Sequence, residues 1–442
     1  MNKTLRSLAA AALTVAGLLA VVTLPAGAAS KPKTRTITCY ELTSTALKSK
    51  KVKAVRPACP KGFSIHKPSL MGSGLNGDTD LNVPGTVSLA INGSSFDAPL
   101  VGATTSGSTA YTAGGKVSFS AYPAAGSGTG RSGITSGSLS IGFSDVPMSA
   151  AAGTLPTGAT ESSYAQVPYA LGGAVMGYNL GAGFDNLKLT ATEVAAIYDG
   201  KITQWSDPTI VATNGGTSTT VGKALANLGT NNEARDTIKV LYRNAGSGTT
   251  EAFTYWLYQA GNSGHAPNGG SPMEGSGGAW GATNINGVAN NAGMAQGIVN
   301  TLGAIGYVEY SYVLIPGNDA IQVAQLQDKN GAWLEPSLTN IGNAASAAGS
   351  SVTPDNFAIT DEPGTNVWPF STYSWALVPK AQTSEATCEG ITKYLDWESH
   401  GAQKKDAAAE GYVPLPTAVQ TYARAQLQTI TVSGTVCVNQ KS

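Results

Sequence analysis

The stretch IKVLYRNAGSGTTEAFTYWL, residues 238–257, joins a strand pattern to a helix pattern through a turn of small residues. Apolar side chains alternate through residues 238–242, which is the two-residue period of a β-strand. The apolar positions in residues 253–257 have the spacing of one helix face. The turn between them brings Arg243, the free N–H groups of a helix start and several hydroxyls to one point. This combination is suited to holding a compact anion.

The candidate anion ligands of this turn are an arginine, three hydroxyls and the N–H groups of the helix start. The Arg243 guanidinium can donate two parallel charge-assisted hydrogen bonds to an oxyanion. Ser247, Thr249 and Thr250 add hydroxyl donors, and the glycines let a ligand approach the helix N-terminus closely. The same residues are also compatible with a structural turn in which Ser247 only caps the helix and Arg243 is solvated.

Two kinds of enzyme site agree less well with the sequence. A nucleotide-binding P-loop requires a lysine directly after its glycines, and none follows them here. The chain contains no G-x-S-x-G motif, and its histidines, His66, His265 and His400, are scattered. An exported hydrolase with an unrecognised triad remains an alternative, but we expect a protein that is not an enzyme.

The composition excludes several classes of protein. The chain has 442 residues, enough for two or three domains with a substantial core. Only 12% of the residues are charged, against ~25% in average soluble domains, and the formal net charge is zero. No basic face for nucleic acid is therefore expected. A hydrophobic fraction of 42% argues against a disordered chain.

Residues 1–28 have the pattern of a secretory signal peptide. Lys3 and Arg6 flank the start of the apolar stretch LAAAALTVAGLLAVV, and PAGAA supplies small residues for cleavage near Ala28. The apolar stretch is shorter than the ~20 residues of a membrane-spanning helix, and no cysteine follows it as a lipid acceptor. We therefore expect an exported protein that is not lipid-anchored, located in the periplasm, in the cell envelope or outside the cell.

The chain has four cysteines, which suits an oxidising compartment. Pairing between neighbours in sequence, Cys39 with Cys59 and Cys388 with Cys437, is favoured among the three possible connectivities. No CxxC motif or nearby histidine pair is present, so no metal site and no cofactor are expected.

Strand and helix patterns alternate along the chain, which predicts an α/β fold. Strands are predicted over residues 86–93, 116–122, 138–145, 238–242 and 303–313, helices over 189–200 and 388–397, and a long loop over 260–290. The first of these helices has capping-box spacing between Thr190 and Glu193.

Three more turns of small polar residues directly follow predicted strands. INGSSFDAP places Ser94 and Ser95 behind a glycine, AAGSGTG places Ser127 between glycines, and GFSDVPM places Asp145 at a strand end. Each stretch is unremarkable alone, but the repeated placement of polar groups at strand ends favours a shared site.

These pieces together resemble the phosphate-binding (PstS-like) proteins of ABC-type phosphate uptake systems, which belong to the periplasmic binding protein superfamily. The similarity covers roughly residues 86–428. The matching pieces, in family order, are NGSSFDAP, GSGTG, GFSDVPMS, VPYALGGAVMGYN, LTATEVAAIYDGKITQWSD, VLYRNAGSGTTEAFTYWL, GAIGYVEYSYV and VWPFSTYSWALV.

The resemblance implies a two-lobed type II binding-protein fold with a hinge and a central ligand cleft. Lobe 1 would comprise residues 86–175 and 371–430, and lobe 2 would comprise 176–370. A small N-terminal extension with a Cys pair and a linker, 29–85, and a C-terminal tail, 431–442, lie outside it. The implied function is that of a monomeric exported protein that binds inorganic phosphate and delivers it to the permease subunits of an ABC transporter.

The resemblance also implies a set of phosphate ligands. They are Ser95, Phe96, Ser127, Asp145, Arg243, Ser247, Gly248 and Thr249. Because an ionised carboxylate only accepts hydrogen bonds, Asp145 needs a ligand that still carries a proton, and hydrogen phosphate has one whereas sulfate has none. Asp145 would therefore set the specificity.

Two positions depart from the family pattern. Ala245 stands where many members have an aspartate that orients the arginine, and Asn244 is the candidate substitute. Asp97 stands where proline is usual, and it would repel an anion if it pointed inward. A secreted phosphate scavenger, a cell-surface interaction protein not coupled to transport, and a binder of a different oxyanion are the alternative functions.

Overall fold

The computed structural model describes residues 35–42, 47–54, 83–149, 155–262, 280–349, 353 and 359–437. The predicted signal peptide, 1–28, and the predicted Cys39–Cys59 bridge lie outside what is described. The chain divides into two compact units, residues 1–68 and 69–442. The described part of the first unit is an antiparallel pair of strands, β1 (Arg35–Leu42) and β2 (Leu47–Ala54), in which Arg35 lies opposite Ala54.

The second unit contains all the other strands and helices described. Its strands are β3 (Val87–Leu89), β4 (Ile91–Gly93), β5 (Val117–Phe119), β6 (Ile141–Ser144), β7 (Tyr164–Asn179), β8 (Lys188–Leu189), β9 (Lys239–Arg243), β10 (Ile285–Val288), β11 (Ala304–Glu309), β12 (Gln322–Val323), β13 (Gln325–Gln327), β14 (Trp333–Leu334), β15 (Ser371–Pro379), β16 (Ala381–Gln382), β17 (Thr431–Val432) and β18 (Thr435–Val436). Its helices are α1 (Ala98–Thr105), α2 (Ser127–Thr135), α3 (Ala191–Tyr198), α4 (Pro208–Thr213), α5 (Thr220–Thr230), α6 (Gly248–Gln259), α7 (Asn291–Asn300), α8 (Tyr310–Leu314), α9 (Leu338–Ala348), α10 (Glu385–Trp397) and α11 (Thr417–Leu427). No helix of the described residues is long and apolar enough to span a bilayer.

One long strand connects the two halves of the main sheet, whose order is β10-β9-β11-β7-β15-β6-β4. β7 is 16 residues long and buried throughout. Its first part, residues 164–173, pairs antiparallel with β15, and its last part, 174–179, pairs antiparallel with β11. At the outer ends, β4 runs parallel to β6 and β10 runs parallel to β9.

Two hydrophobic cores flank this strand. One includes Phe143 and Tyr394, and the other includes Trp256 and Tyr307. The division into two cores agrees with a fold of two α/β parts that share β7 and β15. The predicted lobe boundaries at residues 175 and 370 stay predictions.

The local signals at two helix starts are confirmed. In α3, the Thr190 side chain accepts from the Glu193 N–H at 3.1 Å, and the Glu193 carboxylate accepts from the Thr190 N–H at 2.8 Å. This is the reciprocal capping box that the spacing predicted. In α6, Ser247 is the N-cap and accepts from the Thr250 N–H at 3.2 Å.

Two predicted segments are partly wrong. The predicted loop 260–290 contains β10, whose residues pair in register with β9, Ile285 opposite Val240. The predicted strand 303–313 ends at Glu309, because the Glu309 side chain accepts from the Ser311 N–H at 2.9 Å and starts α8. Both errors arise from contacts that apolar periodicity does not report.

The predicted pairing of Cys388 with Cys437 is confirmed. Cys388 lies in α10 and Cys437 directly follows β18, with their Cα atoms 5.8 Å apart. The bridge spans 49 residues of sequence and attaches the last described strands to α10.

Replacing Cys437 by serine is expected to lower the free energy of unfolding by about 2–4 kcal/mol, because the unfolded chain regains the freedom that a bridge over a long loop removes. Cys388→Ser should cause the same loss, and the double variant should lose no more than either single variant. Chemical denaturation measures all three. A double variant as stable as the wild-type protein would contradict the prediction.

Candidate functional site

The predicted ligands converge at the ends of three strands. Ser95 and Phe96 follow β4, Asp145 follows β6, and Arg243 is the last residue of β9. Ser127 begins α2, and Ser247, Gly248 and Thr249 form the start of α6. All eight residues are buried. Strand ends and helix starts therefore meet at one place, where backbone N–H groups have no partner within their own helix.

Asp145 lies at the centre of this group. Its Oδ2 atom accepts hydrogen bonds from the Ser94 hydroxyl at 2.8 Å and the Ser127 hydroxyl at 3.3 Å. Its Oδ1 atom is buried and has no hydrogen-bond partner among the described residues. Burial raises the pKa of the Asp145 carboxyl, and the serine hydroxyls and Arg243 oppose that rise because they stabilise the ionised form.

Arg243 reaches the same space from β9. Its Nε donates to the Ala289 carbonyl at 3.1 Å, and its Nη1 donates to the Ser95 hydroxyl at 3.3 Å. Its Nη2 is buried without a partner in the described part of the chain. Asn244 is exposed, so the prediction that it orients the guanidinium is wrong. The Ala289 carbonyl holds the guanidinium instead.

Asn291 is a site residue that the sequence analysis missed. Its backbone N–H and its Nδ2 donate to the Ser95 hydroxyl at 3.0 and 3.1 Å, and Nδ2 also lies 3.1 Å from Thr249 Oγ1. With Arg243, three donor groups point at Ser95 Oγ, which has only two lone pairs. Asn291 begins α7, one residue beyond the segment predicted as loop, where the sequence analysis predicted no element.

The start of α6 is in direct contact with the Asp145 loop. The Gly248 N–H donates to Ser127 Oγ at 3.1 Å. A Cβ atom at Gly248 would lie 2.4 Å from the Asp145 Cβ and 2.8 Å from Ser127 Oγ. Only glycine allows this approach, which places the positive end of the helix dipole beside the carboxylate.

Tyr307 positions the arginine and the helix start. Its hydroxyl accepts from the Arg243 N–H at 3.0 Å and lies 2.7 Å from Thr250 Oγ1. Its ring stacks on Phe253 of α6, with centroids 4.3 Å apart. The apolar face of α6 therefore packs on β11 so that its polar N-terminus points at the site.

The arrangement can accept a tetrahedral oxyanion that carries a proton. Arg243 Nη2 offers a donor, while Asp145 Oδ1 offers an acceptor. Leaving buried groups of both kinds without partners is costly, and a ligand with both acceptors and a donor satisfies them. Among the described residues, no group of three His, Cys, Asp or Glu side chains could hold a metal ion.

A second pair of buried titratable side chains, Arg131 and Glu251, lies next to the site. Arg131 of α2 donates to the Ser144 hydroxyl at 3.1 Å, and it attracts Glu251 in the first turn of α6. Glu251 is only 3% exposed, and its Oε2 atom has no partner among the described residues. Burial raises the pKa of Glu251 from 4.5 to about 8, although Arg131 acts in the opposite direction.

Comparison with known proteins gives one family. The PBP superfamily domain matches residues 82–397. The chain is 30% identical over 338 residues to the phosphate-binding protein PstS of Xylella fastidiosa strain Temecula1, covering 75% of this chain and 82% of that protein. It is 31% identical over 313 residues to the PstS of Pasteurella multocida strain Pm70, covering 70% and 81%.

Solved structures share the fold. The phosphate-binding protein of Stenotrophomonas maltophilia superposes with a TM-score of 0.57 at 18% identity, covering 79% of this chain and 96% of that one. A high-affinity periplasmic phosphate-binding protein, PfluDING, bound with phosphate, gives 0.56 at 19% identity over the same shares. At these identities the likeness shows the architecture.

Glu251 should make the stability depend on pH. Because the folded protein keeps a proton on Glu251 up to about pH 8, whereas the unfolded chain releases it near pH 4.5, the free energy of unfolding should fall as the pH rises through this window. Glu251→Gln should remove that part of the slope. Glu385→Gln, an exposed glutamate in the first turn of α10, is the matched control and should keep it. Denaturant unfolding at several pH values measures the slope, and equal slopes in wild type and Glu251→Gln would contradict this assignment.

Proposed function

The chain belongs to the PBP superfamily and, within it, to the family of the PstS phosphate-binding proteins, and from this premise we propose that it binds inorganic phosphate between two lobes and delivers it to an ABC transporter. The observation that carries this proposal is that two buried atoms of the site, Asp145 Oδ1 and Arg243 Nη2, have no hydrogen-bond partner among the residues that the structure describes. One is an acceptor and the other a donor, as a hydrogen phosphate ion requires.

The two-lobed α/β fold suits capture by closure. β7 and β15 run antiparallel between the two cores, and the site draws Asp145 from one side of them and Arg243 from the other. A small change of backbone angles in the connecting strands separates the two sets of ligands, and closure brings them together around the ion. Closure also removes water, which strengthens the contact between the anion and Arg243.

The division of roles follows from the chemistry of each group. Arg243 and the N-terminal amides of α6 supply attraction for any oxyanion. Asp145 supplies selectivity for phosphate over sulfate. A sulfate ion has no proton to donate to Oδ1, so a negatively charged sulfate oxygen would face the negatively charged carboxylate. Such a polar contact can reject the wrong ligand by as much as ~10⁴–10⁵.

The protein is proposed to act outside the cytoplasm, without a lipid anchor, as a monomer that meets permease subunits of a transporter. The predicted signal segment and the similarity to a structure described as periplasmic support the location. We propose no catalytic turnover. Ser127 Oγ accepts from the backbone N–H groups of Asp145 and Gly248, which supports a binding role for this hydroxyl rather than a nucleophilic one.

Isothermal titration calorimetry with phosphate, sulfate and arsenate tests the proposal. Phosphate should bind at neutral pH, and Arg243→Ala should weaken binding by about 30-fold or more, because losing a buried charged partner costs about 2 kcal/mol or more. Arg424→Ala removes an arginine whose side chain is 51% exposed and should leave affinity unchanged. Absence of heat with millimolar phosphate would reject the function. Unchanged affinity in Arg243→Ala would remove that residue from the site.

Asp145→Asn should reduce the discrimination between phosphate and sulfate by about tenfold or more, because the amide can donate to an oxyanion that carries no proton. Competition titrations with both anions measure the ratio of affinities. Asp319→Asn, at an exposed position, is the control and should keep the wild-type ratio. An unchanged ratio in Asp145→Asn would show that this carboxylate does not read the proton of the ligand.

A further inference from the structure

Asn291 lies between two of the predicted ligands. It is the first residue of α7 and is fully buried. Its Nδ2 atom lies 3.1 Å from Ser95 Oγ and 3.1 Å from Thr249 Oγ1. Ser95 follows β4 and Thr249 belongs to α6, which follows β9, and these two strands lie at opposite sides of β7 and β15 in the main sheet. One amide group therefore contacts hydroxyls from both halves of the site.

The orientation of this amide is fixed by its oxygen atom. Asn291 Oδ1 accepts a hydrogen bond from the backbone N–H of Glu309 at 3.1 Å. A flipped amide would place its NH₂ group against that N–H, and two donors cannot bond to each other. The NH₂ group therefore faces the two hydroxyls, and its two protons supply one donor to Ser95 and one to Thr249.

The hydroxyls of Ser95 and Thr249 differ from the other hydroxyls of the site. Ser94 and Ser127 donate their protons to Asp145 Oδ2, at 2.8 and 3.3 Å. Within the described residues, every hydrogen bond of Ser95 Oγ and Thr249 Oγ1 is one that the oxygen accepts. The protons of these two hydroxyls are therefore left for a ligand.

Ser95 Oγ has more donors around it than it has lone pairs. Asn291 supplies two of them, its backbone N–H at 3.0 Å and its Nδ2 at 3.1 Å, and these fill both lone pairs. Arg243 Nη1, at 3.3 Å, is the longest of the three contacts and the surplus donor. Together with Nη2, which has no partner among the described residues, Nη1 gives the guanidinium two adjacent N–H groups for one oxyanion.

We propose that Asn291 is the positioning residue of the phosphate site. It fills the acceptor sites of the Ser95 and Thr249 hydroxyls, so that both hydroxyl protons and Arg243 Nη1 are directed at the bound anion. This inference rests on the proposed phosphate site and adds to it a residue outside the eight predicted ligands. Asn291 acts through three ligands and needs no contact with phosphate of its own.

The physical reason is that a hydroxyl both donates and accepts, whereas phosphate oxygens mainly require donors. A hydroxyl whose lone pair faces an anion opposes binding. Without the Asn291 side chain, Thr249 Oγ1 loses its donor, and Ser95 Oγ takes Arg243 Nη1 to fill its second lone pair. Both changes remove charge-assisted hydrogen bonds from the ligand.

Calorimetric titration of Asn291→Ala with phosphate tests the inference. Its affinity should fall about tenfold or more, because charge-assisted hydrogen bonds to the ligand are lost. Asn214→Ala is the matched control, since Asn214 is also a buried amide that accepts from one N–H, that of Lys188, and donates twice, to the carbonyls of Lys188 and Ile210. It should lower the free energy of unfolding and leave phosphate affinity unchanged. Unchanged affinity in Asn291→Ala, or an equal loss in Asn214→Ala, would overturn the inference.

A mutant cycle separates positioning from a general structural role. The background is the double variant Ser95→Ala Thr249→Val, which lacks both hydroxyls that Asn291 orients. Adding Asn291→Ala to this background should weaken phosphate binding by no more than about twofold, because residues that act through one another give non-additive losses. The full loss seen in the wild-type background would contradict the proposal. If the wild-type protein itself does not bind phosphate, the proposed function is rejected instead.

Neutron crystallography of the deuterated wild-type protein with bound phosphate gives a direct measurement that does not depend on a variant's folding. The two Nδ2 deuterons of Asn291 should point at Ser95 Oγ and Thr249 Oγ1. The deuterons of both hydroxyls and one on Arg243 Nη1 should point at phosphate oxygens. A hydroxyl deuteron directed at Asn291, or Arg243 Nη1 bonded to Ser95 alone, would overturn the inference.

Discussion

The site depends on one opposed pair, a carboxylate and a guanidinium placed in the same buried space with one unpartnered atom each. Asp145 and Arg243 attract each other, and each partly offsets the cost of burying the other's charge. The attraction is incomplete, because Oδ1 and Nη2 are both left without a hydrogen-bond partner among the described residues. A ligand that accepts from one and donates to the other completes the site, and few small ions other than a protonated tetrahedral oxyanion do both.

The rest of the fold holds this pair in place. β7 and β15 connect two cores, so the carboxylate and the guanidinium come from different parts of the sheet. Tyr307 ties Arg243 to the start of α6, and stacking on Phe253 sets the direction of that helix. Gly248 then allows α6 to touch the Asp145 loop. These contacts are made by apolar or uncharged groups. They therefore fix the geometry of the site without neutralising the charges of Asp145 and Arg243.

Much of the fold follows from local patterns, and the exceptions have identifiable causes. α3 and α6 begin where their capping residues predict, because a cap is formed by residues a few positions apart. β10 was predicted as loop because a strand of only four residues is too short to show an apolar alternation, and it is recognised only by its pairing with β9. The start of α8 at Glu309 was missed because a side-chain cap interrupts an otherwise strand-like run. Asn291 was missed because its part in the site depends on hydrogen bonds to the distant residues Ser95 and Thr249.

The sequence by itself determined the α/β class and the helix caps, because both are expressed in short runs of neighbouring residues. It favoured the Cys388–Cys437 pairing among three connectivities, and the eight candidate ligands came from the resemblance to a known family. Only the tertiary structure decided that Ala289 rather than Asn244 holds the guanidinium, that Asn291 joins the site, and that Asp97 turns toward Ser374. Those outcomes depend on hydrogen bonds between residues tens to hundreds of positions apart. Such contacts exist only once the strands are paired, so no local pattern can contain them.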